Sequence, residues 1–168
     1  MAARDAVPPI ELRPAETAAD LARAAALFRE YVASLGVDLG FQNFDAEIAS
    51  LPGAYAPPAG RLLLAFVDGE PGGCGAFRPI AVPAHAAGAC EMKRLYVRPA
   101  FRRYGLGRRL AEALLDAARD AGHRSMLLDT LGSMGAAQKL YASLGFEEIA
   151  PYYRNPFSDV HYLKANLT

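Results

Sequence analysis

Cysteine is scarce in this 168-residue chain. Cys74 and Cys90 are too few for a disulfide framework, and they lack the close C-x-x-C spacing of a metal clip or redox pair. A reducing compartment, the cytoplasm, is the expected setting. Excess charge of one sign is missing too: Lys and Arg number 18, as do Asp and Glu. No global field therefore exists to hold a nucleic acid or an anionic membrane, and any anion site must be local. Nor does any stretch approach the roughly 18 consecutive apolar residues of a membrane span. The segment Met1–Pro9 carries Arg4, Asp5 and two prolines where a signal peptide needs an apolar run. Nucleic-acid and membrane partners are both excluded as expectations.

What is present suits one domain. With 52% hydrophobic and 21% charged residues the chain can bury a core and keep a wet surface. Residues 1–9 read as a tail and 10–168 as the folded unit, with no internal repeat or low-complexity linker. Ile10–Arg13 alternates as a strand ahead of Pro14, and Thr17 caps a helix that runs until Gly36. A loop from Val37 leads to a short helix over Asp45–Leu51. Arg61–Val67 and Gly73–Ile80 form a hairpin around Asp68-Gly69-Glu70-Pro71, and the glycines weaken its second arm. Cys90–Val97 is a further strand. The strongest helix follows, with Leu106, Leu110, Ala113, Leu114, Ala117, Ala118 and Ala121 as its apolar stripe and Gly122 at its C-terminal cap. Ser125–Asp129, a helix over Gly135–Leu144, and paired strands Phe146–Ile149 and Val160–Ala165 complete a mixed α/β sheet with helices on both faces.

The chemistry is concentrated in Glu91–Leu110, EMKRLYVRPAFRRYGLGRRL, where a strand runs through an Arg-rich loop into the long helix. Gly105 and Gly107 let a ligand approach the backbone, the first helical amides lack internal partners, and the helix dipole adds about half a positive charge there. Arg94, Arg98, Arg102, Arg103, Arg108 and Arg109 surround that point in a chain of zero net charge. This pattern points to a polyanionic ligand. A dinucleotide site is the competing phosphate reading, with Asp129 as the ribose-binding acid. It is opposed by Leu110 in place of a third glycine and by the long loop after Val97.

Arg102-Arg103-Tyr104-Gly105-Leu106-Gly107 resembles the Q/R-x-x-G-x-G/A pyrophosphate loop of the GNAT superfamily of acyl-CoA-dependent acetyltransferases. Leu140-Tyr141-x-x-Leu144-Gly145-Phe146 matches the same family's later helix, and the order of elements from Ile10 to Ala165 agrees with its fold. The resemblance implies a mostly antiparallel sheet, splayed beside the Arg-rich loop. It implies acetyl-CoA as co-substrate, its pantetheine arm along Leu95, Tyr96 and Val97 and its diphosphate over Arg102 to Arg108. The acceptor would be a primary amine of a small molecule or peptide, bordered by residues 37–44 and 152–159, and the protein a monomer or homodimer. A noncatalytic acyl-CoA sensor is the alternative function.

Acetyl transfer to an amine sets its own demands. An amine of pKa about 10.4 must lose a proton near pH 7, whereas an alkyl thiol of pKa about 8.5 leaves more easily, so a base matters more than an acid. By the resemblance, Glu91 is the candidate base, directly or through water, and Tyr141 the residue facing the departing sulfur. Glu91 could equally be a salt-bridge partner of Lys93 and Arg94, and Tyr141 a core tyrosine. One position departs from the family pattern: Met134 stands where an asparagine is common, so the contact that asparagine makes to the cofactor arm is not implied, and Ser133 is no more than a candidate substitute. His85, His123 and His161 are isolated, and both cysteines read as small strand residues.

Overall fold

The computed structural model describes residues 6–36, 38, 40–85 and 87–168, without the side chain of Phe41. Part of the expected tail (1–5), Val37 and Leu39 of the first acceptor loop, and Ala86 lie outside the described residues. The chain runs β1 (Ile10–Pro14), α1 (Ala18–Leu35), α2 (Phe44–Ala49), β2 (Arg61–Val67), β3 (Glu70–Ile80), β4 (Ala89–Val97), α3 (Leu106–Asp120), β5 (Ser125–Leu131), α4 (Gly135–Ser143), β6 (Glu147–Ile149) and β7 (Val160–Asn166). Seven strands form one open sheet in the order β1-β2-β3-β4-β5-β7-β6. Every pairing is antiparallel except that of β4 with β5.

The continuous apolar run of β2 has a simple origin. Its side chains alternate between two buried faces, so neither face can be polar. Leu63, Ala65 and Val67 join the core beneath α3 and α4, while Leu62, Leu64 and Phe66 join the one beneath α1. The β2–β3 connection is a two-residue Asp68-Gly69 turn with both φ angles positive (50° and 81°), which explains why β3 begins at Glu70, earlier than the glycines suggest. Those glycines make room. A Cβ at Gly73 would lie 2.8 Å from the Tyr96 carbonyl oxygen, and one at Gly75 would lie 2.8 Å from Leu114 Cδ1 of α3.

α1 starts at Thr17, whose Oγ1 accepts the Asp20 N–H at 3.1 Å, and ends at Gly36 in the left-handed region. Asp20 is buried and takes Arg13 Nε and Nη2 at 3.0 and 2.9 Å and Arg23 Nη1 at 2.8 Å, tying β1 to α1. α3 turns Leu106, Leu110, Ala111, Leu114, Leu115 and Ala118 fully inward. Ala113 and Ala117, expected in its stripe, are only partly buried, because the inward face is centred on the Leu106-Leu110-Leu114-Ala118 line. Among the described residues no helix is long and apolar enough to cross a membrane, and no group of three His, Cys, Asp or Glu could hold a metal.

Candidate active site

The site arises where β4 and β5 part. Their parallel ladder runs only from Ala89 opposite Ser125 to Glu91 opposite Leu127. Beyond it β4 is bulged: Ala76 of β3 faces Lys93 and Cys74 faces Tyr96, so Arg94 and Leu95 share the single residue Gly75. Arg94 takes a left-handed φ of 61°, uncommon for a residue with a side chain. Its buried guanidinium compensates, bonding Glu47 of α2 at 2.9 and 3.1 Å and Gln42 Oε1 at 3.0 Å, and lying over the Phe44 ring. The bulge turns β4 away from β5 and opens a cleft walled by Met92–Leu95, Leu128–Leu131, Met134 and Tyr141.

Tyr141 is 6% exposed, and its ring packs edge-on against Phe146 at 5.6 Å. Among the described residues no side-chain oxygen or nitrogen is both buried and unpartnered. The Tyr141 hydroxyl, which bonds no protein group among the described residues, therefore opens onto the cleft that it lines. Burial raises its pKa further above the ordinary phenol value. Thus Tyr141 is at once the core tyrosine and a cleft residue.

Glu91 occupies the adjoining pocket, with Arg78, Lys93, Tyr152 and Arg154 in its lining. Its Oε1 accepts Arg78 Nε at 3.1 Å and Nη2 at 3.0 Å, and its Oε2 accepts the Tyr152 hydroxyl at 2.6 Å. A carboxylate offers about four acceptor sites, so one lone pair on Oε2 is left. Burial first, then the charge of Glu91, raises the Tyr152 pKa, which keeps that phenol a donor. Across the gap, Asp129 of β5 accepts the Tyr153 hydroxyl at 2.8 Å, and Asn155 Nδ2 donates to the same Tyr153 oxygen at 2.9 Å. The sequence motifs offer Asp129 only as a ribose ligand and residues 152–159 only as an acceptor border, without assigning Tyr152, Tyr153 or Asn155 individually. Their signal is an acid within an apolar strand and a Tyr-Tyr pair in the loop opposite.

The six clustered arginines separate. Arg94 turns to α2, and Arg98 is tied to Glu30 of α1 at 2.6 and 2.9 Å and to the Pro71 carbonyl at 2.9 Å. Arg102, Arg103, Arg108 and Arg109 stay exposed around the start of α3. Arg102 Nε donates to the Val97 carbonyl at 3.1 Å, Arg103 lies over the Tyr104 ring, and Arg108 bonds Ser143 at 2.8 Å. Pro99–Tyr104 forms a 3₁₀ turn, Gly105 (φ 69°) reverses the chain, and the first helical bond runs from Arg109 N–H to Gly105 O. The amides of Leu106, Gly107 and Arg108 precede that bond. Gly107 has only ordinary contacts, 3.7 Å to Leu140 and 3.9 Å to Val97, so the protein itself does not require a glycine there.

Elsewhere the chemistry is quiet. Cys74 and Cys90 are buried; desolvation pushes the Cys90 thiol up to about 12 and that of Cys74 higher, so neither supplies a thiolate near neutral pH. Met134 precedes α4 without a side-chain capping bond, and Ser133 is exposed. His85 sits on a loop, His123 just after the turn that ends α3, and His161 on β7 between Glu148 and Asp159.

An open sheet parted at a bulged strand, which leads through an Arg-rich turn to a helix N-terminus ringed by exposed arginines, defines an acyltransferase of the GNAT type. Residues 21–146 match the family model described as Acetyltransferase (GNAT) family, and the chain belongs to that family. It is 41% identical over 143 residues to an uncharacterised N-acetyltransferase of Schizosaccharomyces pombe, covering 84% of this chain and 85% of that one. A Dictyostelium discoideum protein, also an uncharacterised N-acetyltransferase, is 32% identical over 198 residues, covering 84% and 92%. In fold it is similar to a GNAT acetyltransferase of Staphylococcus aureus (TM-score 0.75, 16% identity, 95% and 100% covered). It is also similar to the putative acetyltransferase yncA of Salmonella typhimurium, solved with its cofactor acetyl-CoA (TM-score 0.67, 23% identity, 95% and 94% covered).

Proposed function

We propose that the protein transfers an acetyl group from acetyl-CoA to a primary amine of a small molecule or peptide, in the reducing cytoplasm that its two buried thiols suit. The carrying observation is adjacency: Leu95 on the β5-facing edge of β4 and Tyr141 of α4 line one cleft, and Gly107 at the start of α3 lies close to Val97 and Leu140, their neighbours on the same two elements. As co-substrate, acetyl-CoA supplies a thioester carbonyl and a thiolate leaving group. The amides of Leu106–Arg108, with Arg102, Arg103, Arg108 and the turn through Tyr104 and Gly105, fit its diphosphate. The backbone of Leu95, Tyr96 and Val97, past the β4–β5 ladder, fits an extended amide-bearing arm, and in this reading an amide of Leu95 or Tyr96 serves the oxyanion.

In the reaction the amine nitrogen attacks the carbonyl carbon, the C–S bond breaks, and one proton leaves the nitrogen. Glu91 takes that proton through water on its remaining Oε2 lone pair. Tyr141 hydrogen-bonds the sulfur as charge develops there. Its raised pKa favours donation of a hydrogen bond over full proton transfer. One observation favours a second destination for the proton: Asp129 lines the same cleft as Tyr141, and Glu91 lines the pocket next to it. The pH-rate profiles of Glu91→Gln and Asp129→Asn decide between them. The variant lacking the proton acceptor loses rate at neutral pH and recovers part of it as pH rises, because solution then supplies more free amine. A profile unaltered in both variants removes both carboxylates from the proton transfer.

A further inference from the structure

Charge pairing around the cleft is incomplete. Glu47 neutralises Arg94, and Glu91 neutralises Arg78. Among the described residues Lys93 is left with a 3.9 Å share of the same Glu91 oxygen and one hydrogen bond, 3.0 Å to Gln42 Oε1, although its side chain is only 7% exposed. An ammonium has three N–H groups to satisfy, and burying it under-neutralised is costly. Desolvation accordingly lowers its pKa, with Glu91 opposing that shift. Lys93 forms the wall shared by the Tyr141 cleft and the Glu91 pocket, and exposed Arg154, without an ion pair among the described residues, lines the latter.

On the opposite wall, Asp129 carries a carboxylate with a phenol donor and, among the described residues, no cation within 4 Å. Lys93 and Asp129 therefore face one cleft with opposite charges and do not bridge it. A simple amine or polyamine would match Asp129 but add positive charge beside Lys93, Arg78 and Arg154. An acceptor with an anionic end would match both walls.

Building on the acetyl-transfer reading, we infer that the acceptor is a small zwitterionic amino carboxylate, its ammonium seated on Asp129 and its carboxylate on Lys93, with Arg78 and Arg154 behind. A peptide N-terminus, whose neighbouring group is a neutral amide, satisfies only the Asp129 half. The inference concerns binding and holds whether Asp129 or Glu91 finally receives the proton.

The test compares kcat/KM for CoA release with the common L-amino acids, β-alanine and γ-aminobutyrate against their carboxamides and decarboxylated amines. At least one amino carboxylate should exceed both of its uncharged-end analogues by about tenfold or more, the scale of a charge-assisted bond. Lys93→Met should shrink that ratio, mainly through KM for the carboxylate, and Lys93→Arg should restore part of it. CoA affinity reports whether each variant is folded, and the wild-type panel decides alone if Lys93→Met is not. Amines or carboxamides acetylated as well as every amino carboxylate, or a ratio unmoved in folded Lys93→Met, would overturn the inference while leaving acetyl transfer intact. Absence of thiol release with any acceptor would overturn the acetyl-transfer reading, and this inference with it.

Discussion

Replacing Tyr141 by phenylalanine separates a catalytic hydroxyl from a packed ring. The ring is held edge-on to Phe146, inside the core beneath α3 and α4, and Phe keeps all of that burial. Among the described residues the hydroxyl bonds no protein group, so its removal strands no partner there and should change stability by less than about 0.5 kcal/mol. Its value should appear only when charge develops on the departing sulfur. One hydrogen bond to a charged group is worth about 1.5–3 kcal/mol. At about 1.4 kcal/mol per decade, Tyr141→Phe should slow the chemical step by about 10- to 150-fold. The assay is single-turnover acetyl transfer with enzyme in excess, alongside a thermal melt and an acetyl-CoA titration. Full single-turnover rate with a melting point several degrees lower would refute the reasoning and make Tyr141 a core residue alone.

Three further outcomes follow from the geometry. Gly107→Ala has room within the fold, so its urea midpoint should hold or rise slightly, while its methyl over the helix start should weaken CoA by about tenfold in calorimetric titration. Gly73→Ala should destabilise by about 1–3 kcal/mol, because its Cβ meets the Tyr96 carbonyl at 2.8 Å and Leu110 at 3.2 Å; an unchanged urea midpoint would contradict that packing. Asp20, held below the ordinary carboxylate range by hydrogen bonds from Arg13 and then Arg23, against desolvation, stabilises the fold above its unfolded pKa. That contribution should fade as pH falls through the depressed folded value, so the acid limb of the stability profile should be shallower in Asp20→Asn than in the parent.

The elements were legible where one physical cause dominated. β2 is apolar because both faces are buried, α3 is amphipathic because one face is, and the turn glycines mark positive φ; these features are local. The resemblance implies the splay, but alternation along the strand does not locate the bulge at Arg94, whose side chain is held by Glu47, far away in the sequence. The arginine cluster misled in part for the same reason: adjacency in sequence did not reveal that Arg94 and Arg98 turn to α2 and α1. The β3 glycines, which weakened that strand as a sequence pattern, are required by the close approach of β4 and α3. In the sequence Asp129 reads only as a ribose ligand, since its place opposite Lys93 appears only once β4 and β5 part. No periodicity in Ala81–Ala89 or Pro151–Asp159 reports on how those loops wall the pocket.

The central claim is acetyl transfer to an amine, and the most direct measurement is amine-dependent thiol release from acetyl-CoA with the acetylated product identified by mass spectrometry. The account predicts steady release of CoA in one-to-one stoichiometry with an N-acetylated amine. Saturable acetyl-CoA binding with no amine-dependent release and no acetylated product across amino acids, polyamines, aminoglycosides and peptide N-termini would contradict it.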